Sequence, residues 1–313
     1  MYEILHVENP LPSQLPRFYR DGFLFLQARH LLNQPCRPLH YFALINVKTG
    51  WADAHCAIFI RDHQAVSPGA ASFGSVEFAD DVPDADLHRL VTAVVTYCQQ
   101  VPVQGIRLVN YPDCYAVSAA HRLRVVLLTA GFVVEYEELN QHLPVSSQPF
   151  AENLHAAERR RLRKCQQAGF TTQIWENPDS DALFAFIRKA RIRKALPLTM
   201  DSGTLAGLLT TFGDVCPVFT VRNHHQLIAA CLGIRVTPDI LYYFLPADHE
   251  EYLSFSPSVL LIESLYSYCQ QHHISLLDLG ISTSKGIPNE GLIRFKKHLG
   301  AVESPKFIFG MRF

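Results

Sequence analysis

The sequence lacks a long apolar run, a block of like charges at either end and any closely spaced pair of cysteines. No stretch approaches the roughly 20 apolar residues that a membrane-spanning helix needs, and the start has no basic segment leading into an apolar core. The formal net charge of -1 gives no global reason to bind nucleic acid or an anionic membrane. We therefore expect a cytoplasmic protein without a membrane span, in which charge effects are local.

Metal and disulfide chemistry also find little support in the composition. The eight cysteines form no CxxC pair, and several fall within apolar segments, as small core residues do. Histidines occur in adjacent pairs at 224/225 and 272/273, but neighbouring side chains point apart and make poor joint ligands. The sequence predicts no disulfide framework and no metal site.

Two similar series of elements follow one another along the chain. Each has three β-rich runs, a helix ending in YCQQ (residues 97–100 and 268–271), a short strand, a helix ending at Gly131 or Gly300, and a last strand. The length of 313 residues favours two domains, and the segment LPVSSQPF (143–150) is typical of a linker. We predict two α/β domains, 1–145 and 151–313, that are copies of one unit.

Paired β-rich runs predict two hairpins. LHYFALINV and AHCAIFIRD flank residues 48–50, and a third run, 71–78, continues that sheet; CPVFTVR and LIAACLGIRV flank residues 223–225. Asp84 or Asp86 is the expected cap of the helix that follows the first series of strands.

The segment from Ser254 to Gly300 has the clearest pattern. After a Ser-Pro-Ser start, where a serine oxygen is expected to cap the helix, apolar residues recur at helical spacing up to Cys269. Ile274–Leu279 then predicts a strand covered on both faces, with Asp278 as its one charged residue. A helix leading directly into such a strand indicates α/β layering.

This order of elements resembles the GNAT acyltransferase fold. The second half, with RRRLRKCQQAGF, FSPSVLLIESLYSYCQQHHISLLDLG and NEGLIRFKKHLG, is similar to tandem GNAT proteins related to the FemAB-type peptidyltransferases. The resemblance covers about 151–313 well and the first half in outline. It implies an α/β (α+β) chain of two GNAT-like domains, each a mixed, mostly antiparallel sheet flanked by helices.

The resemblance implies transfer of an acyl or aminoacyl group to an amine, with a cell-wall or polysaccharide precursor among the acceptors. Single GNAT enzymes hold coenzyme A with an R/Q-x-x-G-x-G/A loop, but the corresponding segment 248–258 contains no glycine. FemAB-type members also lack the loop and take aminoacyl-tRNA. Acyl-CoA and aminoacyl-tRNA therefore both stay open as donors.

Candidate catalytic residues lie near the end of the second half. Lys296 falls within the apolar arc of a helix that contains Leu292, Phe295 and Leu299, so it either extends along the surface or turns into a cavity with a partner. The resemblance places Phe295 and Lys296 beside the acyl donor, where the lysine supplies positive charge. Asp278 must be paired or protonated in its buried strand, and substrate contact and a structural role are equally open.

The substrate-binding candidates are Tyr243, Ser256, Ser258, Arg188, Arg191, Ser72, Phe73 and Gly74. Tyr243 lies on the strand before the central helix, where alternate side chains face a cleft. Ser72–Gly74 precede the first half's helix and are expected to line the cleft between the domains. The basic runs 159–164 and 188–194 could meet phosphates of a nucleotide-linked acceptor, coenzyme A or tRNA, or could be solvated helix faces.

Two other classes of function remain open. A GNAT-like protein that has lost its chemistry could bind a ligand without the glycine loop, and an RNA-binding protein could use the basic helices. The sequence specifies neither the acceptor nor the oligomeric state.

Overall fold

The computed structural model describes residues 1–313, and the chain divides into two compact units. Unit 1 comprises residues 1–139, 283–288 and 304–313, and unit 2 comprises residues 140–282 and 289–303. The end of the chain thus belongs to unit 1. The division into domains 1–145 and 151–313 stays a prediction.

Unit 1 contains most of the first half of the chain. Its helices are α1 (Ala28–Asn33), α2 (Asp84–Gln100) and α3 (Val117–Thr129). Its strands are β1 (Tyr2–Glu8), β2 (Leu39–Asn46), β3 (Ala52–Arg61), β4 (Gln64–Ser67), β5 (Val76–Phe78), β6 (Gly105–Val109), the first part of β7 (Val133–Pro144), the short pair β13 (Thr283–Ser284) and β14 (Ile287–Pro288), and nearly all of β15 (Val302–Arg312).

The strands of unit 1 follow the order β1, β2, β3, β4, β6, β15, β7, with β5 paired to β3. The hairpin of β2 and β3 confirms the first predicted hairpin, since His40 faces Ile58 and Leu44 faces Ala54. Strands β4 and β6 run parallel, and the chain's last strand pairs antiparallel with β6. The C-terminal strand therefore lies inside the sheet of unit 1 rather than at an edge.

Unit 2 contains the central helix of the second half. Its helices are α4 (Phe150–Asn153), α5 (Ala156–Gln167), α6 (Ser180–Arg193), α7 (Ser202–Phe212), α8 (Pro257–Gln271) and α9 (Glu290–His298). Its strands are β8 (Thr171–Ile174), β9 (Val218–Asn223), β10 (Gln226–Thr237), β11 (Ile240–Asp248) and β12 (Leu276–Ile281), with residues 140–144 of β7.

In unit 2 the strands follow the order β8, β9, β10, β11, β12, and residues 140–144 of β7 pair antiparallel with β12. The β9–β10 hairpin confirms the second predicted hairpin, with Asn223 facing Gln226. Helix α8 lies on one face of this sheet, and its Val259, Leu265 and Cys269 are completely buried. Helices α6 and α7 pack with a second cluster of apolar side chains that includes Ala230, Leu232 and Leu245.

Several sequence-based expectations differ from the structure. The predicted run 71–78 contributes strand only from Val76, and β4 was missed because it has just four residues. The predicted linker begins within β7, where Leu143 pairs with Leu277, and it then stays bound to unit 2 through a hydrogen bond of 3.0 Å from Ser146 N to the Tyr266 hydroxyl. Neither aspartate caps α2, which begins after Pro83.

Candidate active site

The candidate site lies where β11 and β12 separate. The two strands pair in parallel over three residues only, ending with Tyr242 beside Asp278. Beyond that pair, β11 runs on to Asp248 and β12 to Ile281 without pairing to each other. Ligands of α/β sheets bind outside the carboxyl ends of parallel strands, where backbone groups and side chains converge.

Asp278 is the buried acid at this point. Only 2% of the residue is exposed, and its Oδ1 accepts hydrogen bonds from Asn140 Nδ2 at 2.8 Å and from the Gly280 amide at 2.7 Å. Gly280 has a φ of +76°, which brings its amide back to the carboxylate two residues earlier. A Cβ at position 280 would lie 3.2 Å from the Tyr242 ring. Glycine at this position therefore lets the Tyr242 ring pack closely against β12.

Lys296 turns inward from α9 to the end of β12. Only 4% of the residue is exposed, and Nζ donates to the carbonyls of Gly280 at 2.7 Å and Ile281 at 3.0 Å. Burial lowers the pKa of Lys296 from 10.5 to about 7, and the nearby charge of Asp278 opposes that shift. Both protonation states of the lysine are therefore populated near neutral pH.

The residues beside Lys296 hold α9 in place. Asn289 caps the helix, since its Oδ1 accepts from the amide of Leu292 at 3.1 Å. Phe295 is half-buried and packs against the main apolar core of unit 2. Lys297 points outward instead and pairs with Glu303 at 2.7 Å. The two adjacent lysines thus have different environments on one helix.

Strand β7 adds a residue that sequence reasoning missed. His142 is the direct strand partner of Asp278, and its Nδ1 is buried without a hydrogen-bond partner. Burial lowers the pKa of His142, while the charge of Asp278 raises it. No local pattern marks this histidine, because it reaches the site only through pairing with a strand more than 130 positions away in sequence.

Tyr243, Ser258 and Ser256 lie on the α8 side of β11. Tyr243 is buried and hydrogen-bonded to Ser258, and burial raises its pKa well above the usual value. Tyr242, its neighbour, points to the opposite face and lies next to Gly280. Ser256 precedes α8 in a left-handed conformation, φ +57°, and its side chain makes no capping bond, so the predicted serine cap is wrong.

Three of the five basic residues of the run 188–194 are paired with acidic side chains within unit 2. Arg193 and Lys194 both bind the carboxylate of Asp248, and Lys189 pairs with Glu250 at 2.6 Å. Arg188 is exposed.

Arg191 differs from these neighbours because it is half-buried and makes no ion pair. Its Nε donates to the Pro197 carbonyl at 2.7 Å. Burial lowers the pKa of Arg191, and the titratable hydroxyl of Tyr242 opposes this shift.

The three candidates from the first half belong to unit 1. The carbonyl of Ser72 accepts from Lys306 Nζ at 2.8 Å, and the Gly74 amide donates to the carbonyl of Val109 at 2.9 Å. Phe73 is 1% exposed and its ring contacts other buried aromatic rings, among them Phe23. Ligand contact by these three residues stays a prediction, and burial argues against it for Phe73.

Comparison with known proteins identifies the class. The model of the "Acetyltransferase (GNAT) domain" family matches residues 154–297. The fold is similar to FemX (TM-score 0.72, 13% identity, 99% of this chain and 97% of that chain) and to the tandem GNAT protein of the clavulanic acid biosynthesis pathway (0.57, 10%, 100% and 98%). It is also similar to the C-terminal domain of a protein assigned as lysylphosphatidylglycerol synthetase from Agrobacterium fabrum (0.59, 13%, 83% and 82%). No curated protein sequence matches the chain.

Residues 154–297 therefore match a GNAT domain, and this match supports an acyltransferase enzyme. The chain as a whole has the FemAB-like tandem GNAT fold, which confirms the predicted fold class. None of its helices combines the length and the apolar character needed to cross a membrane. No group of three or more histidine, cysteine, aspartate or glutamate side chains is arranged to hold a metal ion.

Proposed function

We propose that unit 2 transfers an acyl or aminoacyl group from acyl-CoA or aminoacyl-tRNA to an amine, with the reacting carbonyl next to Lys296. The observation that supports this is the buried ammonium group at the end of β12, where the paired strands separate. As the amine attacks, the carbonyl oxygen gains negative charge, and a fixed positive group in a dry site stabilises that charge strongly. Holding donor and acceptor together supplies most of the remaining acceleration.

The donor's phosphates are placed, in this proposal, at the start of α8. Ser256 gives the helix no side-chain cap. Pro257 has no N–H and the Val259 amide donates to the Ser256 carbonyl at 3.0 Å, so the Ser258 amide is the first-turn donor proposed to meet an anion. The preceding segment Glu250–Phe255 forms a 3-10 helix without glycine, so it does not form the loop that encloses a diphosphate in single GNAT enzymes. Contact between protein and diphosphate is therefore limited.

The acceptor is proposed to bear an anionic group. Arg191 supports this, because it is a half-buried cation without a carboxylate partner, whereas Lys189, Arg193 and Lys194 are paired. A phosphate or carboxylate on the acceptor would supply the missing partner. Nucleotide-linked amines and other phosphorylated cell-wall or polysaccharide precursors have this chemistry.

Unit 1 is a poor candidate for the donor site. The first turn of its long helix α2 contains Asp84 and Asp86, which repel a phosphate at a helix start. We therefore assign the donor to unit 2. The RNA-binding alternative has less support than the enzyme, since most of the basic run on α6 is paired with acidic side chains.

A ligand panel followed by matched variants tests the proposal. Ligands that bind only the folded protein raise its melting temperature, so acyl-CoAs, aminoacyl-tRNA and nucleotide sugars should separate by their shifts. In the assay so identified, Lys296→Ala should lower the rate by about 10² to 10³, the typical effect of removing one group that stabilises an oxyanion. Lys297→Ala is the control on the same helix and should keep near wild-type activity.

Equal, near wild-type activity of both folded variants would show that Lys296 has no role in transfer. Absence of transfer by the wild-type chain with every donor would contradict the proposed function itself.

A further inference from the structure

Three polar side chains form a row across unit 2 at the point where β11 and β12 separate. Tyr242 is the strand partner of Asp278, and Asp278 is the strand partner of His142. Directly paired residues on neighbouring strands project to the same face of a sheet, and the strands lie about 4.8 Å apart. The tyrosine, the acid and the imidazole therefore follow one another on the face opposite Tyr243 and α8.

His142 is the member of the row whose bonding is incomplete. Its Nδ1 is buried and has no partner, although buried polar atoms in folded proteins are nearly always hydrogen-bonded. The Asp278 carboxylate beside it is already held by Asn140 and the Gly280 amide, so its position is fixed. The negative charge of a fixed carboxylate next to an imidazole stabilises the protonated form of the ring.

The protonation state of His142 suits a proton acceptor. Burial lowers its pKa below the usual 6.5, and Asp278 is the charged group that opposes this shift. The ring is therefore neutral at pH 7 and has a lone pair available. The other charged group near Asp278 is Lys296, whose amine hydrogens point to the carbonyls of Gly280 and Ile281.

We propose that His142 is the general base that takes the proton from the attacking amine of the acceptor, and that the charge of Asp278 stabilises the imidazolium that forms. This inference rests on the proposed function of unit 2. It assigns separate roles to two groups at one site: Lys296 supplies charge to the carbonyl oxygen, and His142 receives the proton.

The step is balanced for both donor classes. The amine lone pair forms a bond to the acyl carbon, and the carbonyl π pair moves to oxygen. One proton of the resulting ammonium passes to His142. When the carbonyl re-forms, the carbon–sulfur bond of a thioester or the carbon–oxygen bond of an aminoacyl ester breaks, and the leaving group takes the electron pair and then the proton from the imidazolium.

The pH dependence of transfer tests the role of His142. In the wild-type chain, kcat should fall as the pH drops through a value below 6.5, because the protonated imidazole cannot accept a proton. His142→Gln should lower kcat about 10²- to 10⁴-fold, the usual contribution of a general base, and should remove this acidic limb. His225→Gln, at the exposed turn between β9 and β10, is the matched control and should leave kcat and the acidic limb of the pH profile unchanged.

Added imidazole provides a rescue experiment. His142→Gly should regain part of its activity in millimolar imidazole, and the His225 variant should not respond. A folded His142→Gln that keeps more than half of the wild-type kcat with an unchanged acidic limb would overturn the inference. Such an outcome leaves the proposed function intact, because transfer itself would still be observed.

A titration of the intact wild-type chain decides the matter if the variants do not fold. With isotope-labelled histidine, NMR should show a His142 pKa below 6.5, and Asp278→Asn should lower it further, because the carboxylate that favours the charged form is removed. A measured pKa of 7 or above would overturn the inference, since the imidazole would then be largely protonated at neutral pH.

Discussion

At the scale of single residues, Lys296 combines a structural cost with a position suited to chemistry. Its ammonium group is removed from water and contacts two backbone carbonyls rather than a carboxylate. A lysine in such a position shifts towards its neutral form, and this explains the low pKa. Groups with strongly shifted pKa values are concentrated at functional sites, and this shift is one reason to assign Lys296 to the reaction.

The lowered pKa of Lys296 makes the stability of the protein depend on pH. Between pH 7 and 10.5 the unfolded chain binds a proton at this lysine that the folded chain releases, so folding stability rises with pH across that window. Below about pH 7 the lysine is protonated in both the folded and the unfolded chain, so the full free-energy cost of burying its charge destabilises the folded protein. Relative to Lys296→Met, the wild-type protein should gain up to about 1.4 kcal/mol per pH unit within the window.

Thermal unfolding of both proteins from pH 7 to pH 10 measures this effect. The difference between the two proteins removes the contribution of titrating groups that do not interact with residue 296. A difference in melting temperature that stays constant over the range would show that Lys296 titrates normally.

The residues of the site were accessible to sequence reasoning to different degrees. The apolar arc of α9 indicated that Lys296 was unusual, because helical periodicity is a local property. Asp278 was recognisable as a charge within an apolar strand. His142 was not recognisable, since its partner depends on the pairing of β7 with β12, and no local pattern specifies pairing between distant strands.

At the scale of elements, α8 begins differently from the central helix of single GNAT enzymes. Its predicted serine cap is replaced by a short 3-10 helix and a left-handed Ser256. The periodicity of the helix was readable from sequence, but its start was not, because cap geometry depends on the path of the preceding loop.

The start of α8 predicts weak binding of coenzyme A. Without glycine, the backbone of 248–258 cannot approach a diphosphate as closely as a glycine-rich loop does, so any acyl-CoA must bind without most of those contacts. Calorimetric titration with acetyl-CoA should show weak binding or none. Tight, stoichiometric binding would contradict this expectation and would identify another diphosphate site.

At the scale of the whole molecule, neighbouring elements in the sequence do not always share a unit. Residues 140–144 of β7 complete the sheet of unit 2, and residues 304–312 of β15 lie in unit 1. Much of the element order followed from the sequence, because it depends on local patterns. The assignment of these two strands to their units could not be predicted from the sequence. Strands of the same type compete for the same position, and only tertiary packing selects between them.

The last strand predicts how unit 1 responds to truncation. In β15, Phe309 pairs with Leu108 and Ile308 with Val109 of β6, and both β15 side chains are buried. Burial of each large apolar side chain contributes about 1.5 to 3 kcal/mol, so removal of residues 304–313 takes away a large part of the stability of a typical domain and also leaves the β6 edge unpaired. We expect the shortened protein to lose the fold of unit 1. Limited proteolysis should then cut within residues 1–139 at times when the full chain is intact.

Deletion of Phe313 alone, which is 45% exposed, is the control and should leave the protease resistance unchanged. Resistance of residues 1–139 in the shortened protein, equal to that in the full chain, would show that unit 1 folds without its last strand.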